Sequence, residues 1–437
     1  MVKTLDDINM SYAFPEVAFD EDYILATYQC NVPTSDIEKL ALAIADEQTT
    51  GTWIKVSHET DDKKKKFGGK ITAIYELPDT GNDMVVPQAP PMHIIQIAYP
   101  KANMGTSFPM ILSTLFGNIS ASGPIKLIDV AFPKSYLAEF TGPKFGVEGI
   151  RDVLGVKDRP LVNAMIKPNT GWTPEEGADL FYQASKGGVD IIKDDELMPC
   201  NESFCPQKDR VKLFMEKEKQ VFEETGEHTL YATNVTDRID KVRDNAYRAI
   251  EYGANAIMIN TYTSGFGTLQ MLSEDPNINV PILAHIDFAG VYCGSTYTGM
   301  SAPLTIGKFV RLAGGDMQIN GHPWGKFPFP MKTLSRCFRF FTQPWWNIKP
   351  MLYLVSGGTN QMMVDKAINA LGPDIVLAAG GAIHGHPEGS EAGAKSMRQA
   401  IDAAMQGIPV AEYAKTHKEL AQMAQMLGAT VNFDLMK

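Results

Sequence analysis

The stretch TPEEGADLFYQASKGGVDIIKDDE (173–196) holds one whole structural unit. Thr173 followed by Glu176 is a capping-box pattern, and Pro174 suits the first helical position. Apolar residues then recur at helical spacing, a Gly-Gly pair closes the run, and VDII reads as a short buried strand. The strand exits into four ionisable residues, Lys193-Asp194-Asp195-Glu196. In a parallel sheet the working face lies at such C-terminal strand ends.

The same unit recurs eight times. Strand candidates are LVNAMIKP (161–168), VDIIKDD (189–195), TLYATNV (229–235), AIMINTY (256–262), VPILAHIDF (280–288), DMQING (316–321), PMLYLVSGG (350–358) and DIVLAAGG (374–381). Helical stretches such as RIDKVRDNAYRAIEYG (238–253) separate them, and glycine precedes a strand at Gly188, Gly253 and Gly372. Eight strand–helix units over about 275 residues match a (β/α)8 barrel. An open doubly wound sheet is the rival, but it more often carries a GxGxxG turn after its first strand, and none is present.

Before residue 145 the pattern is irregular. Residues 22–32, 68–78 and 93–100 alternate as strands, while 35–48 (opened by a Ser35/Glu38 capping box) and 108–120 read as helices. The chain is therefore expected to be α/β: an N-terminal α+β, ferredoxin-like domain over 1–145, then a TIM barrel over 146–437 carrying the active site. The run Lys63–Lys66 reads as a solvated loop.

The 437 residues include 40 Lys and Arg against 51 Asp and Glu, a net charge of −11, with 44 % hydrophobic residues. That composition excludes a disordered chain and argues against nucleic-acid or anionic-membrane binding, while leaving room for a local basic pocket that holds a phosphorylated metabolite. Five scattered cysteines read as reduced thiols. The N-terminus is acidic where a signal peptide needs bases, and no run of about 18 apolar residues occurs, so a cytoplasmic location without membrane spans is expected.

The strand ends carry the chemistry. They present Lys167 and Asn169, the tetrad 193–196, Asn234, Asn260, His285 and Asp287, Asn320 and His322, Ser356-Gly357-Gly358, and Gly380-Gly381. His384 and His386 on the last exit loop read as structural. Strand side chains alternate, so Lys193 and Asp195 should point together into the barrel mouth with Glu196 at its lip. Two carboxylates and a third oxygen donor suit Mg²⁺. An ammonium would repel the metal, whereas a desolvated lysine can react as a free amine, and CO2 would convert it to a carbamate oxygen ligand. The alternative is a surface turn with a Lys–Asp ion pair.

GGVDIIKDDE (187–196), GPKFGVEGIR (142–151), GGAIHGHPEG (380–389), DEQTTGTW (46–53), LFGNIS (115–120) and LVSGG (354–358) resemble the large-subunit superfamily of ribulose-1,5-bisphosphate carboxylase (RuBisCO), in order over nearly the whole chain. The resemblance implies a homodimer, or a higher oligomer of it, with an active site shared between subunits. It makes Lys193 a carbamylated Mg²⁺ ligand beside Asp195 and Glu196, and Lys167 the base. His285 and the loop lysine Lys326 would polarise or hold the second oxygen. Ser356, Gly357, Gly358, Gly380 and Gly381 match phosphate-binding turns, and Glu47, Thr52, Trp53 and Asn118 match residues lent by the neighbouring subunit.

The departures narrow the choice. Asn169 replaces the second lysine of Lys-Pro-Lys, and His285-Ile286-Asp287-Phe288-Ala289 lacks the arginine and second histidine of a carboxylase. Ile319 or Asn320 stands where the sixth-strand histidine is expected. An aliphatic side chain cannot replace an arginine on phosphate, so a monophosphorylated substrate is expected. The chain therefore resembles the RuBisCO-like, form IV proteins. Residues 230–256 resemble the methionine-salvage enolase acting on 2,3-diketo-5-methylthiopentyl 1-phosphate. Asn118 stands where that enolase has a lysine base, and deep-branching relatives include decarboxylases of the 3-oxo-isoapionate 4-phosphate type. Enolase, isomerase and decarboxylase chemistry stay open, as do a true carboxylase with a remodelled site and a non-catalytic binding protein on the same scaffold.

Overall fold

The computed structural model describes residues 4–20, 22–52, 54, 56–77, 91–327 and 329–430. The chain forms two compact units, Met1–Phe140 with Phe288–Phe309, and Thr141–Asp287 with Val310–Lys437.

In the first unit, β1 (Tyr23–Asn31), β2 (Lys70–Leu77), β3 (Met92–Pro100) and β4 (Ile125–Ala131) form an antiparallel sheet in the order β4-β1-β3-β2. The two-residue strand Gly299–Met300 joins its edge, parallel to β4. This is the strand order of the expected ferredoxin-like fold. Because β1 is central, Tyr23, Ile24, Leu25, Ala26, Tyr28 and Cys30 are all buried.

Three local expectations for this unit are corrected. Residues 61–67 form a helix, not a loop. Thr60 Oγ1 accepts the Lys63 N–H at 3.4 Å, Asp61 and Asp62 occupy the first turn, and Lys64–Lys66 the last, so the charges oppose the helix dipole. The Ser35/Glu38 box does not form. Residues 34–36 wind into a 3₁₀ turn, with the Asp36 N–H on Pro33 O at 2.9 Å, and this denies Ser35 the extended backbone a cap needs. Helix Ile37–Glu47 follows, and Glu38 accepts the Tyr12 hydroxyl at 2.6 Å instead. The 108–120 helix stops at Phe116, because Gly117 (ψ −105°) leaves the helical region and a 3₁₀ turn, Asn118–Ala121, takes over.

In the second unit, β5 (Leu161–Met165), β6 (Ile191–Lys193), β7 (Leu230–Asn234), β8 (Ala256–Asn260), β9 (Ile282–His285), β10 (Met317–Asn320), β11 (Leu352–Val355) and β12 (Ile375–Ala379) close into a parallel barrel. Each strand pairs with its sequence neighbours, and β12 pairs with β5. Alternate residues fill the interior, among them Leu161, Ile191, Leu230, Ala232, Met258, Leu283, Ile319, Leu354 and Ala378. The Thr173/Glu176 box is formed on helix Pro174–Lys186, and Gly188 (φ +95°) makes the turn into β6 that an L side chain resists. Among the described residues no helix is long and apolar enough to cross a membrane, and all five cysteines are free.

Candidate active site

The period of two decides what reaches the mouth. Ile191 faces the barrel core, so Lys193 faces inward two residues on, and Asp194 faces out. Asp194 is fully buried behind the wall, 3.0 Å from Arg210 Nη2, and accepts bonds from Tyr231 Oη (2.6 Å), Thr233 Oγ1 (3.1 Å) and the Asn234 N–H (2.8 Å). Removing one partner of such a buried pair costs about 3–5 kcal/mol. This clamp sets which way its neighbours Lys193 and Asp195 face. Asn320, expected at the rim, is likewise turned outward and bonded to Gln318, while Ile319 points inward.

Within the mouth the basic and acidic groups interlock. Lys193 Nζ lies 2.8 Å from Asp194 O and 3.3 Å from Glu196 Oε2. Glu196 Oε2 is also 3.2 Å from His285 Nε2, and His285 Nδ1 is 2.9 Å from Asp287 Oδ1. Lys167 Nζ donates to Asp195 Oδ2 at 2.6 Å and to Asn169 Oδ1 at 2.7 Å. Lys193 and Asp195 are each 1 % exposed, which excludes the surface-turn alternative. Burial pushes the Lys193 ammonium below its ordinary value, against the pull of Glu196 and Asp195. Burial also raises the Glu196 carboxyl, but the His285 hydrogen bond and the Lys193 charge outweigh it and hold the group well below the usual range.

Residues without an assigned role at the sequence level support this cluster. Asn260 Nδ2 donates to Glu196 O at 3.0 Å and Asn234 Nδ2 to Met198 O at 3.0 Å, so the exits of β7 and β8 hold the loop leaving β6. The signal was their inward register, Asn260 lying level with His285. Among the described residues, the Asn260 Oδ1 is buried without a hydrogen-bond partner.

Glycine turns flank the cluster. Gly357 and Gly358 follow β11 with φ of +97° and +98°. A Cβ on Gly380 would meet Lys167 Cε at 2.9 Å, whereas one on Gly381 would meet nothing within 4 Å. Ser356 is buried beside them. The Lys326 N–H donates to Gly357 O at 2.7 Å, and Lys326 Nζ lies 5.0 Å from the Phe327 ring centroid. At the exits of β9 and β10, Ile286 packs against the barrel core and Ile319 is buried within it, so aliphatic groups stand where a carboxylase carries phosphate-binding charge. His386 Nε2 lies 3.0 Å from Glu419 O and its Nδ1 accepts the Glu388 N–H, a structural bridge; His384 Nδ1 lies 2.9 Å from Ser390 Oγ. In the first unit Asn118 Nδ2 donates to Glu47 Oε1 at 3.1 Å and Thr52 is exposed, while Trp53 lies outside the described residues.

The donor set suits a hard cation only in a particular form. Among the described residues no three His, Cys, Asp or Glu side chains form a metal-holding group. Asp195 and Glu196 thus need an oxygen from a further residue, and Lys193, whose ammonium burial disfavours, is in contact with Glu196.

A (β/α)8 barrel that follows an α+β domain along the chain, with lysines and carboxylates interlocked at the strand ends and glycine turns at the exits of its last two strands, has the organisation of a barrel enzyme. The chain belongs to the RuBisCO large-chain family: residues 146–427 match the ribulose bisphosphate carboxylase large chain catalytic domain, and residues 11–136 its N-terminal domain. It is 46 % identical over 398 residues to a ribulose bisphosphate carboxylase-like protein of Archaeoglobus fulgidus, covering 90 % of each chain. It is 36 % identical over 394 residues to the 2,3-diketo-5-methylthiopentyl-1-phosphate enolase of Bacillus anthracis, covering 89 % of this chain and 94 % of the relative. The solved rubisco-like protein (MtnW) of Alicyclobacillus acidocaldarius superposes with a TM-score of 0.85 at 34 % identity, covering 93 % and 99 %. These similarities set the chain on the RuBisCO-like, form IV side of the superfamily, near the methionine-salvage enolase.

Proposed function

We propose that the chain is a Mg²⁺-dependent enzyme that forms an enediolate from a monophosphorylated keto compound, nearest in type to the enolase acting on 2,3-diketo-5-methylthiopentyl 1-phosphate. The observation that carries this reading is the buried Lys193, in contact with Glu196 and beside an Asp195 already held by Lys167. Lys193 as its carbamate, Asp195 and Glu196 would hold Mg²⁺, which when bound supplies Lewis-acid charge for a developing enolate. Lys167 moves the substrate proton at Nζ. His285 holds a substrate oxygen, oriented by Asp287. The turns Ser356–Gly358 and Gly380-Gly381, with Lys326, take the single phosphate through backbone N–H groups and one ammonium. A homodimer would complete the site with Glu47, Thr52, Trp53 and Asn118 of the neighbouring subunit.

One residue favours a second reading, decarboxylation of a 3-oxo-isoapionate 4-phosphate-like acid. Asn118 amide cannot abstract a proton, and loss of CO2 needs no base there. Enolisation releases a carbon-bound hydrogen of the substrate to solvent, whereas decarboxylation places a solvent hydrogen on the carbon that lost CO2, so the test is turnover in D2O with Mg²⁺ and bicarbonate. Loss of a carbon-bound hydrogen from the diketone without CO2 release supports enolisation, and CO2 release with deuterium on carbon supports decarboxylation. Observing neither outcome with either substrate overturns the proposal.

A further inference from the structure

The loop leaving β10 is tied to the turn leaving β11. His322 is fully buried and its hydrogen-bond roles follow from its neighbours. The Trp324 N–H lies 3.2 Å from Nδ1, which must therefore accept, leaving the proton on Nε2. Nε2 lies 3.1 Å from Thr359 Oγ1, and that hydroxyl in turn donates to Val355 O at 2.8 Å. Three donors and three acceptors match in one direction, from the loop through the imidazole to the end of β11. On either side of this relay, Lys326 N–H meets Gly357 O at 2.7 Å, and Tyr353 Oη donates to Gly321 O at 2.9 Å. Gly325 is pressed against both parts: a Cβ there would meet Gly357 O at 2.2 Å and the His322 ring at 2.9 Å.

We infer that neutral His322 is a positioning residue, a latch that fixes the Lys326-bearing loop to the Ser356–Thr359 turn, so that the ammonium and the turn's amides are assembled before any ligand arrives. The inference rests on the proposed function only in taking that turn as a phosphate site. A loop anchored through a buried side-chain relay, with only a few further hydrogen bonds beside it, opens more often by local unfolding when the relay is cut, without loss of the barrel. His322 touches neither the Lys193 cluster nor Lys167 among its hydrogen-bond partners.

The test uses trypsin on the full chain, reading cleavage after Lys326 by mass, with calorimetric binding of inorganic phosphate as a second measurement. His322→Ala and the nearly isosteric Thr359→Val should both be cut about tenfold faster than the wild type, because the protected state is lost locally. Thr359→Val should keep the wild-type Tm, and both variants should bind inorganic phosphate more weakly. Cleavage of Thr359→Val at the wild-type rate overturns the latch. Equal phosphate affinity in all three proteins overturns the coupling of loop to turn. Cleavage does not depend on any ligand, so a wild type that resists trypsin yet binds no phosphate contradicts the proposed phosphate site and leaves the latch supported.

Discussion

Lys167 Nζ sits 2.6 Å from Asp195 Oδ2, the shortest link between the first two strand exits of the barrel. The lysine side chain is 30 % exposed while the carboxylate is 2 % exposed, so one end of the pair faces the open mouth and the other is sealed in. A proton-transfer group needs that placement, held by a fixed partner and open to substrate.

Lys167→Ala should therefore lower kcat by about 10²–10⁴-fold with little change in KM, since proton transfer acts mainly in the transition state. Steady-state kinetics on the accepted substrate check this. A variant that raises KM alone would make Lys167 a binding group.

Lys193→Ala should weaken Mg²⁺ binding in the presence of bicarbonate by about tenfold or more, roughly 1.4 kcal/mol. Titration calorimetry with and without bicarbonate reads it directly. Lys193 is buried, so circular dichroism must show an intact barrel; unchanged affinity in a folded variant would remove Lys193 from the metal site.

Ribulose 1,5-bisphosphate should bind at least about tenfold more weakly than the monophosphorylated ligand, because one lost charge-assisted contact is worth about 1.5–3 kcal/mol. Ile286 and Ile319 give a second phosphate no charged partner at the β9 and β10 exits. Competition binding at fixed Mg²⁺ decides it, and equal or tighter bisphosphate binding contradicts the one-phosphate site.

Acid should destabilise the fold between about pH 6.5 and 4. Burial lowers His322 to about 4 and His384 to about 4, the latter helped by the Lys167 charge. Over that window the unfolded chain binds protons that the folded one refuses, so stability present above the unfolded value is lost as pH falls. For a fully buried imidazole such as His322 the slope approaches about 1.4 kcal/mol per pH unit. The Tm of the wild type should fall between pH 7 and 5, and His322→Gln should fall less; parallel curves would show that this histidine does not drive the loss.

Much of this was readable from the chain alone because it obeys short periods. The barrel follows from eight apolar runs with polar exits, and the inward pairing of Lys193 with Asp195 follows from alternation. Alternation also placed Asp194 outside, yet its clamp with Arg210 and Tyr231 joins residues up to 37 apart and had no local sign. The His322–Thr359 contact, again 37 residues apart, was equally hidden. Helix Asp61–Phe67 is the opposite case: Thr60 and the two aspartates are local signs of a helix start, while four successive lysines resemble a solvated loop.

The most direct test of the central claim is phosphorus NMR of full turnover with Mg²⁺ and bicarbonate, comparing wild type with Lys193→Ala on 2,3-diketo-5-methylthiopentyl 1-phosphate, 3-oxo-isoapionate 4-phosphate and ribulose 1,5-bisphosphate. The account predicts that the wild type consumes one of the two monophosphates, that Lys193→Ala consumes neither, and that the bisphosphate persists. Consumption of the bisphosphate, inertness toward both monophosphates, or equal turnover by the Lys193→Ala variant would contradict it.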